Sequence, residues 1–222
     1  MEHSRRQFLQ FAGLALGAGL GGFLPRAFAS GRRKSELDLQ AWIQPVPDHA
    51  IFALPGYHVW CGSMVRSPDG KCHLFYSRWP FKEGFAAWVT HSEVARAVAD
   101  HPLGPYRHES VVLPERGADY WDGHCTHNPT VVARDGRYYL YYMGNRGDRK
   151  PSGGKLNWTH RNNQRIGVAV ADSPEGPWRR MDQPLIAVTP GFHDELVCNN
   201  PAVCFGPDGE VLMIYKAVGK QN

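Results

Sequence analysis

Two aspartates stand at equivalent places in the chain and could act as a general acid and a general base. Asp122 and Asp194 lie 72 residues apart, and each precedes a proline, Pro129 or Pro201, by seven residues. Paired carboxyl groups can share proton transfer, because one holds a proton while the other accepts one. We therefore predict a catalytic pair, with Glu195 as an alternative acid. The competing interpretation is that each aspartate caps its own loop.

Polar residues that could bind a ligand follow Asp122 directly. His124 and His127 could exchange protons, donate hydrogen bonds or, together with Asp122, ligate a metal, although a histidine in such a place is more often a structural contact. Asn128 and Asn200 each donate and accept hydrogen bonds, which suits a ligand rich in hydroxyl groups or a buried turn. Zinc-type ligand spacing is absent. We predict no metal and no cofactor, and the sequence gives no support for a cation in a central channel.

A basic segment and several aromatic residues are further binding candidates. The segment RNNQR is too polar for a strand interior, so it is either a solvated loop or a binding rim. In a rim, Arg161, Asn162 and Arg165 could hold an anionic group, and Lys216 is a weaker candidate for the same role. Five tryptophans could stack on a ligand ring: Trp60, Trp79, Trp88, Trp121 and Trp158. Most tryptophans in β-proteins, however, are core residues. We select Trp121, which adjoins Asp122.

These residues are carried by an internal repeat. Three hairpins, each with an Asp-Gly turn between two β-prone runs, have their turns at Asp69, Asp135 and Asp208, with spacings of 66 and 73 residues. Residues 167–178 also match residues 95–106 at a constant offset of 72. A period near 70 with three or four strands indicates a β-propeller, in which each period is one blade. A β-sandwich lacks such self-similarity, and a β-helix has far shorter repeats.

The repeat predicts an all-β, five-bladed propeller, of which residues 57–222 hold about two and a half to three blades. Propellers close with at least four blades, so we expect this domain to be incomplete and part of a longer protein. Residues 30–56, which contain three prolines, are predicted to be a lead-in segment with little regular structure.

The first 29 residues predict an export signal. The run Ser4-Arg5-Arg6-Gln7-Phe8-Leu9 has the twin-arginine pattern, a Gly/Ala-rich apolar stretch follows, and Ala27-Phe28-Ala29 offers a cleavage site. An uncleaved anchor is the alternative, but the stretch is short for a bilayer span. We predict export in the folded state to the periplasm or the extracellular space, with no membrane attachment after cleavage.

Charge and cysteine content exclude other classes. The full chain has 25 basic and 21 acidic residues, and 22 basic and 20 acidic residues remain when residues 1–29 are removed. The body of the chain has no basic block, which argues against a nucleic-acid partner. The five cysteines have no metal-type spacing, and most are expected to be small buried hydrophobes, with a disulfide pair left open. The oligomeric state is also open.

Several motifs, spread over roughly residues 57–220, carry a resemblance to a known group of proteins. They are Phe75-Tyr76-Ser77-Arg78-Trp79-Pro80, Trp121-Asp122-Gly123, Thr126-His127-Asn128-Pro129, Tyr142-Met143-Gly144-Asn145, Arg161-Asn162-Asn163-Gln164-Arg165 and Tyr215-Lys216-Ala217. In these motifs the chain resembles five-bladed propeller glycoside hydrolases of the family-43 type and, more closely, secreted bacterial propeller glycoside hydrolases of undefined substrate. The resemblance implies cleavage of a glycosidic bond in an oligo- or polysaccharide by carboxylate acid/base chemistry.

The chain departs from family 43 where that family places its acids. An aspartate before the strand proline is replaced by Asn128 in one hairpin and by Asn200 in the next, and the first hairpin has Cys61-Gly62 instead. The catalytic prediction therefore rests on Asp122 and Asp194. A carbohydrate-binding propeller without catalysis and a glycoside phosphorylase remain as alternatives.

Overall fold

The computed structural model of the protein describes residues 39–150 and 153–220. The chain divides into two compact units, Met1–Gln44 and Pro45–Asn222. The described part of the first unit contains helix α1 (Leu39–Trp42), and the predicted lead-in continues with a 3₁₀ turn at Asp48–Ala50. The predicted export signal in residues 1–29 lies outside the described residues.

The described residues of the second unit form three antiparallel sheets. The strands are β1 (Tyr57–Arg66), β2 (Cys72–Pro80), β3 (Glu93–Ala99), β4 (Arg107–Leu113), β5 (Cys125–Arg134), β6 (Arg137–Asn145), β7 (Arg165–Ala171), β8 (Arg179–Arg180), β9 (Val197–Phe205) and β10 (Val211–Val218). Two sheets have four strands in the orders β1-β2-β3-β4 and β5-β6-β7-β8, and the third pairs β9 with β10. Each sheet is thus a meander of sequential strands, which is the construction of a propeller blade.

The Asp-Gly turns close the first hairpin of each sheet, as predicted. In the turn between β5 and β6, both central residues have positive φ, 51° at Asp135 and 74° at Gly136. Such a turn matches the right-handed twist of the two strands it joins. The turn pins the register of β5 against β6, in which Arg134 is opposite Arg137.

The first strands of the three sheets lie side by side, since β5 contacts both β1 and β9. Their contacts are made by side chains: Ser63 Oγ accepts a hydrogen bond from the Val131 amide (3.0 Å), and Thr130 Oγ1 donates one to the Pro201 carbonyl (2.6 Å). Sheets that meet along their first strands are blades arranged around an axis. The predicted propeller fold is therefore confirmed, with two complete blades and the first hairpin of a third.

The main hydrophobic core lies between the first two sheets. Its fully buried members include Phe75 on β2, Leu140 and Tyr142 on β6, and Ala169 on β7. The neighbouring residue Tyr76 faces the other side of its sheet and packs there with Phe52 of the lead-in, at 4.9 Å between ring centroids. The alternation follows from the two-residue period of a strand.

One stretch of β-prone residues is not a strand. The β-prone stretch from Ala87 to Thr90 is a 3₁₀ turn followed by helix α2 (Trp88–His91). Val89 is fully buried there, and its carbonyl accepts a hydrogen bond from Asn145 Nδ2 at 3.0 Å. A tertiary contact thus satisfies this backbone group in place of a sheet partner. Among the described residues, no helix is long and apolar enough to cross a membrane.

The cysteines behave as the sequence indicates. All five lie in the described residues and none forms a disulfide. Cys72, Cys125 and Cys198 are buried, Cys61 is half-buried and Cys204 is exposed. Burial raises the pKa of the Cys61 thiol to about 11, so this group is protonated at neutral pH and is no nucleophile there.

Candidate functional site

Each of the three inner strands carries a bulge at the same repeat position. The register shifts between Trp60 and Ser63 in β1, between His127 and Thr130 in β5, and opposite Ile214 and Lys216 in the third hairpin. A bulge inserts an unpaired residue and re-aims its side chain. The repeat therefore presents three re-aimed side chains at one end of the inner strands.

The bulge residues have left-handed backbone conformations, with φ near 50° at Cys61, Asn128 and Asn200. Asparagine adopts this region more readily than most residues, because its side chain can hydrogen-bond locally. The three side chains form a chain across the blades. Cys61 Sγ donates to Asn128 Oδ1 at 2.7 Å, and Asn128 Nδ2 donates to Asn200 Oδ1.

A cavity of about 270 Å³ opens at these bulges. We call it the axial cavity. Its lining consists of aromatic rings, amides, one imidazole, one thiol and one amine, from Trp60, Cys61, Trp79, Phe85, Trp88, His127, Asn128, Asn199, Asn200 and Lys216. Within the part of the chain that the structure describes, no carboxylate lines this cavity. Its polar character is therefore that of neutral amides plus one cation.

The aromatic side of the axial cavity is partly open to solvent. Trp60 and Phe85 are 51% and 55% exposed, and their ring centroids are 5.8 Å apart. Trp79 is buried behind Phe85 at 5.8 Å. Exposed aromatic rings held beside polar groups are typical of surfaces that bind amphipathic ligands.

His127 is an uncharged member of the cavity wall. Its side chain is 3% exposed, its Nδ1 is 2.7 Å from Ser92 Oγ, and its ring lies 5.2 Å from the ring of Trp88. Burial lowers the pKa of His127 to about 3. The imidazole is therefore neutral near pH 7 and can exchange hydrogen bonds but cannot deliver a stored proton.

Asn199 repeats the position of His127 one blade later, and Gln164 repeats that of Ser92. Asn199 is 6% exposed, and its Nδ2 donates to Gln164 Oε1. Asn199 Oδ1 and Gln164 Nε2 are buried and have no hydrogen-bond partner within the described residues. Buried polar atoms are normally paired. Asn199 lines the axial cavity, and its unpaired Oδ1 is a buried acceptor of that wall.

Asp122 is not at the axial cavity. It is fully buried, and its Oδ1 accepts a hydrogen bond from Arg116 Nε at 2.7 Å and lies 2.7 Å from Arg116 Nη2 in an ion pair. Its Oδ2 accepts from the Tyr142 hydroxyl at 2.7 Å and faces Arg180 Nη1 at 3.4 Å. All these contacts hold the loop before β5 against the blade. The geometry gives Asp122 a structural environment.

Asp194 has a weaker version of the same environment. It is buried, and its oxygens face the Thr189 amide at 3.3 Å and the Tyr215 hydroxyl at 3.3 Å. Tyr215 is the repeat equivalent of Tyr142, so the Asp–Tyr contact recurs with the blade. Glu195 pairs with Lys220 at 3.5 Å and accepts from the Gly191 amide at 3.0 Å. None of these acids lines the axial cavity.

Trp121 and His124 are also placed in the body of the second blade. Trp121 stacks on Tyr142 with a centroid distance of 5.8 Å and fills the space that Gly167 leaves open. His124 Nδ1 accepts from the Gly147 amide at 3.1 Å, and its ring lies 5.7 Å from that of His160. Burial lowers the pKa of His124. Neither side chain reaches the axial cavity.

The predicted basic rim is not part of the cavity lining. Arg161 ends helix α3 (Trp158–Arg161) and donates to Asn162 Oδ1 at 3.0 Å. Arg165 begins β7 and donates to the Gln164 carbonyl at 2.7 Å. Burial lowers the pKa of Arg165. These groups bind neighbouring atoms of the chain.

Of the predicted site residues, the structure brings His127, Asn128, Asn200 and Lys216 to the axial cavity. It adds Trp60, Trp79 and Trp88, which the sequence offered as stacking candidates, and three residues that sequence reasoning did not single out, Cys61, Phe85 and Asn199. Alignment of the repeats at an offset of 72 would have found Asn199, because it falls on His127. Among the described residues, no cluster of His, Cys, Asp and Glu side chains is arranged to hold a metal ion.

The structure is similar to solved glycoside hydrolases. Zg3597, a family 117 glycoside hydrolase of the marine bacterium Zobellia galactanivorans, matches with a TM-score of 0.59 and 21% identity, over 75% of this chain and 50% of that one. A protein described as a glycoside hydrolase matches with a TM-score of 0.54 and 17% identity, over 78% and 50%. CoXyl43, a family 43 β-xylosidase/α-arabinofuranosidase from a compost metagenome, matches with a TM-score of 0.50 and 22% identity, over 72% and 43%.

These likenesses establish the fold that the resemblance implied, a family-43-like propeller. At such sequence identities, the structural similarity does not assign a substrate or a catalytic residue to this chain. No protein-family model and no curated protein matches the sequence. The chain spans about half the length of the solved structures that it matches.

Proposed function

We propose that the protein is a glycoside hydrolase and that the axial cavity binds the sugar at which cleavage occurs. The observation that carries the proposal is the cavity at the inner-strand bulges, where an amide chain faces an aromatic wall. Sugar rings have polar edges and apolar faces. Amides can donate and accept at once to hydroxyl groups, and aromatic rings pack against the apolar face.

The dimensions of the axial cavity fit a small ligand portion. Its volume of about 270 Å³ lies near the lower limit of ligand pockets, which is ~300 Å³. The cavity therefore suits one end of an oligosaccharide, with Trp60 and Phe85 at the open side in contact with the next unit. Asn128 and Asn200 belong to the same lining, at the bulges of β5 and β9.

The acids of the reaction are a separate part of the proposal. Glycoside hydrolysis commonly uses two carboxyl groups about 5–10 Å apart, and the described lining supplies neither. We infer that the catalytic carboxylates come from the portion of the propeller that the solved structures have in addition to the matched half. Catalysis by Asp122 or Asp194 stays a prediction, and their contacts favour a supporting role.

Asn128 and Asn200, at the positions where family 43 has aspartates, favour a second candidate, a carbohydrate-binding propeller without catalysis. This alternative needs the same cavity and the same amides but no proton transfer. It differs from the first proposal in one observable, the formation of product.

A substrate screen on the full-length protein separates the two candidates. Aryl glycosides and oligosaccharides are incubated with wild type, Asn200→Ala and a matched control, Asn162→Ala, whose side chain lies outside the cavity lining. We expect turnover by wild type and the control, and a loss of about tenfold or more in Asn200→Ala, because a polar contact to the sugar is removed. Binding without any product would favour the alternative. Equal activity of all three proteins would contradict the assignment of the cavity.

We further propose that the protein is exported by the twin-arginine route. The support is the Ser4–Leu9 run and the small residues at Ala27–Ala29. In a bacterial host, the wild-type chain should be recovered from the periplasmic fraction, and a variant with lysines in place of Arg5 and Arg6 should stay in the cytoplasm. Equal partition of the two proteins would rule out this route.

A further inference from the structure

Among the described residues that line the axial cavity, one carries a formal charge, Lys216 with its amine. This side chain lies on β10 and is exposed. The Lys216 amine makes no ion pair or hydrogen bond to any residue that the structure describes. By contrast, the amine of Lys71 pairs with Asp100 at 2.6 Å and that of Lys220 pairs with Glu195 at 3.5 Å. The cation of the cavity is thus uncompensated by the described residues.

The other described residues that line the axial cavity do not offset the charge of Lys216. No carboxylate lines the cavity within the described residues, and the low pKa of His127 makes that ring neutral. A cleft whose walls carry charge of one sign attracts ligands of the opposite sign. The described wall therefore favours an anion over a neutral or cationic group.

Lys216 also has a polar neighbour that lacks a partner. It is directly opposite Asn199 in the β9–β10 pair. Asn199 is nine-tenths buried, and its Oδ1 is unpaired within the described residues. The two side chains together offer a cationic donor and a neutral acceptor on adjacent strands, as required for a ring that carries an anionic group next to a hydroxyl.

We propose that the axial cavity recognises a sugar unit with an anionic substituent, a sulfate ester or a carboxylate. Lys216 pairs with the anion, and Asn199 accepts a hydrogen bond from a hydroxyl of the same unit. The proposal rests on the proposed function, since it takes the cavity as the sugar site and names the class of sugar. The basic segment at Arg161–Arg165, whose arginines are engaged with the chain itself, has no part in this recognition.

The first experiment is a binding screen of the full-length protein on a glycan array that carries neutral, sulfated and uronic-acid oligosaccharides. The strongest anionic ligand is then compared with its matched neutral form, the desulfated or methyl-esterified oligosaccharide, by titration calorimetry. We expect the anionic form to bind about tenfold to a hundredfold more tightly, as charge-assisted hydrogen bonds typically do. The array shows whether sulfate or carboxylate is the substituent. The preference should shrink as ionic strength rises.

Variants assign the preference to Lys216. Lys216→Gln should lose the discrimination while its affinity for the neutral form stays the same, and Lys216→Arg should keep it. Lys220→Gln, four residues away and outside the cavity lining, is the control for loss of one positive charge. Thermal midpoints of all variants verify that the fold is intact, which the exposure of Lys216 makes the expected result.

Three outcomes would overturn the proposal. Equal binding of matched charged and neutral oligosaccharides would remove the anionic class but leave the sugar site. Equal weakening of both forms by Lys216→Gln would make Lys216 a general contact. Absence of binding to every sugar on the array would contradict this proposal and the proposed function together.

Discussion

The variant Asp122→Asn tests whether Asp122 is a supporting or a catalytic carboxylate. A supporting role predicts a loss of stability with turnover retained, and a catalytic role predicts the opposite. The wild-type carboxylate accepts one hydrogen bond from Arg116 Nε and one from Tyr142, and it lies 2.7 Å from Arg116 Nη2 and 3.4 Å from Arg180. Asparagine has nearly the same shape but no charge, and one of its two polar ends becomes a donor. Two buried or half-buried arginines would then share a neutral group.

The expected cost follows from these contacts. Removal of one partner from a buried ion pair typically costs ~3–5 kcal/mol, and the oxygen retained by asparagine places this variant near the lower value. For a domain of this size, that corresponds to a fall of about 6–12 °C in the thermal midpoint. Asp194→Asn is the matched control. Its described hydrogen-bond partners are Thr189, Cys198 and Tyr215, and none of them is an arginine or a lysine; it should cost about 1 kcal/mol.

Thermal unfolding of both variants, followed by near-ultraviolet circular dichroism, measures the difference. Activity is then assayed well below the lower midpoint, where both variants are folded. We expect a clear drop in stability for Asp122→Asn and turnover close to wild type per folded molecule. An unchanged midpoint together with abolished turnover would refute the reasoning and restore Asp122 as a catalytic acid.

Two further predictions concern stability. Burial lowers the pKa of His127 to about 3 and that of His160 to about 4. Below pH ~6.5 the unfolded chain therefore binds more protons than the folded one. The free energy of unfolding should fall by roughly 1.4 kcal/mol per pH unit for each histidine as the pH drops from 6.5 to 4.5. A free energy of unfolding that is constant between pH 7 and pH 5 in chemical denaturation would contradict this. Gly167→Ala should cost ~1–3 kcal/mol, because its Cβ would lie 2.7 Å from Cη2 of Trp121. Gly62→Ala, whose Cβ would meet only the tip of one leucine side chain, is the control, and equal midpoints of the two variants would show that the indole can move aside.

The fold could be predicted from the sequence because its signals are local and repeated. The turn at Asp135-Gly136 and its two counterparts define three hairpins, and the offset of 72 between residues 95–106 and 167–178 makes the unit a blade. Ala87–Thr90 could not be predicted in this way. Its conformation depends on the burial of Val89 and on a distant amide, Asn145.

The sequence predicts part of the axial cavity lining, and a physical reason explains why other predicted residues lie elsewhere. In the sequence, the recurrence of Asp122 at Asp194 indicates a shared active site. In the structure, each aspartate accepts from a tyrosine one strand further on, so the recurrence belongs to the construction of the blade. Asn128 and Asn200 also recur, but they occupy bulges with left-handed backbone, which turn their side chains toward the axis.

The position of a bound sugar tests the central claim most directly. A crystal structure of the protein with an oligosaccharide ligand from the binding screen should show a sugar ring in the axial cavity, with a hydroxyl within hydrogen-bond distance of Asn200 and an apolar face against Trp60 or Phe85. A ring seated instead at Asp122 or on the Arg161–Arg165 segment, with the axial cavity occupied by solvent alone, would contradict the account.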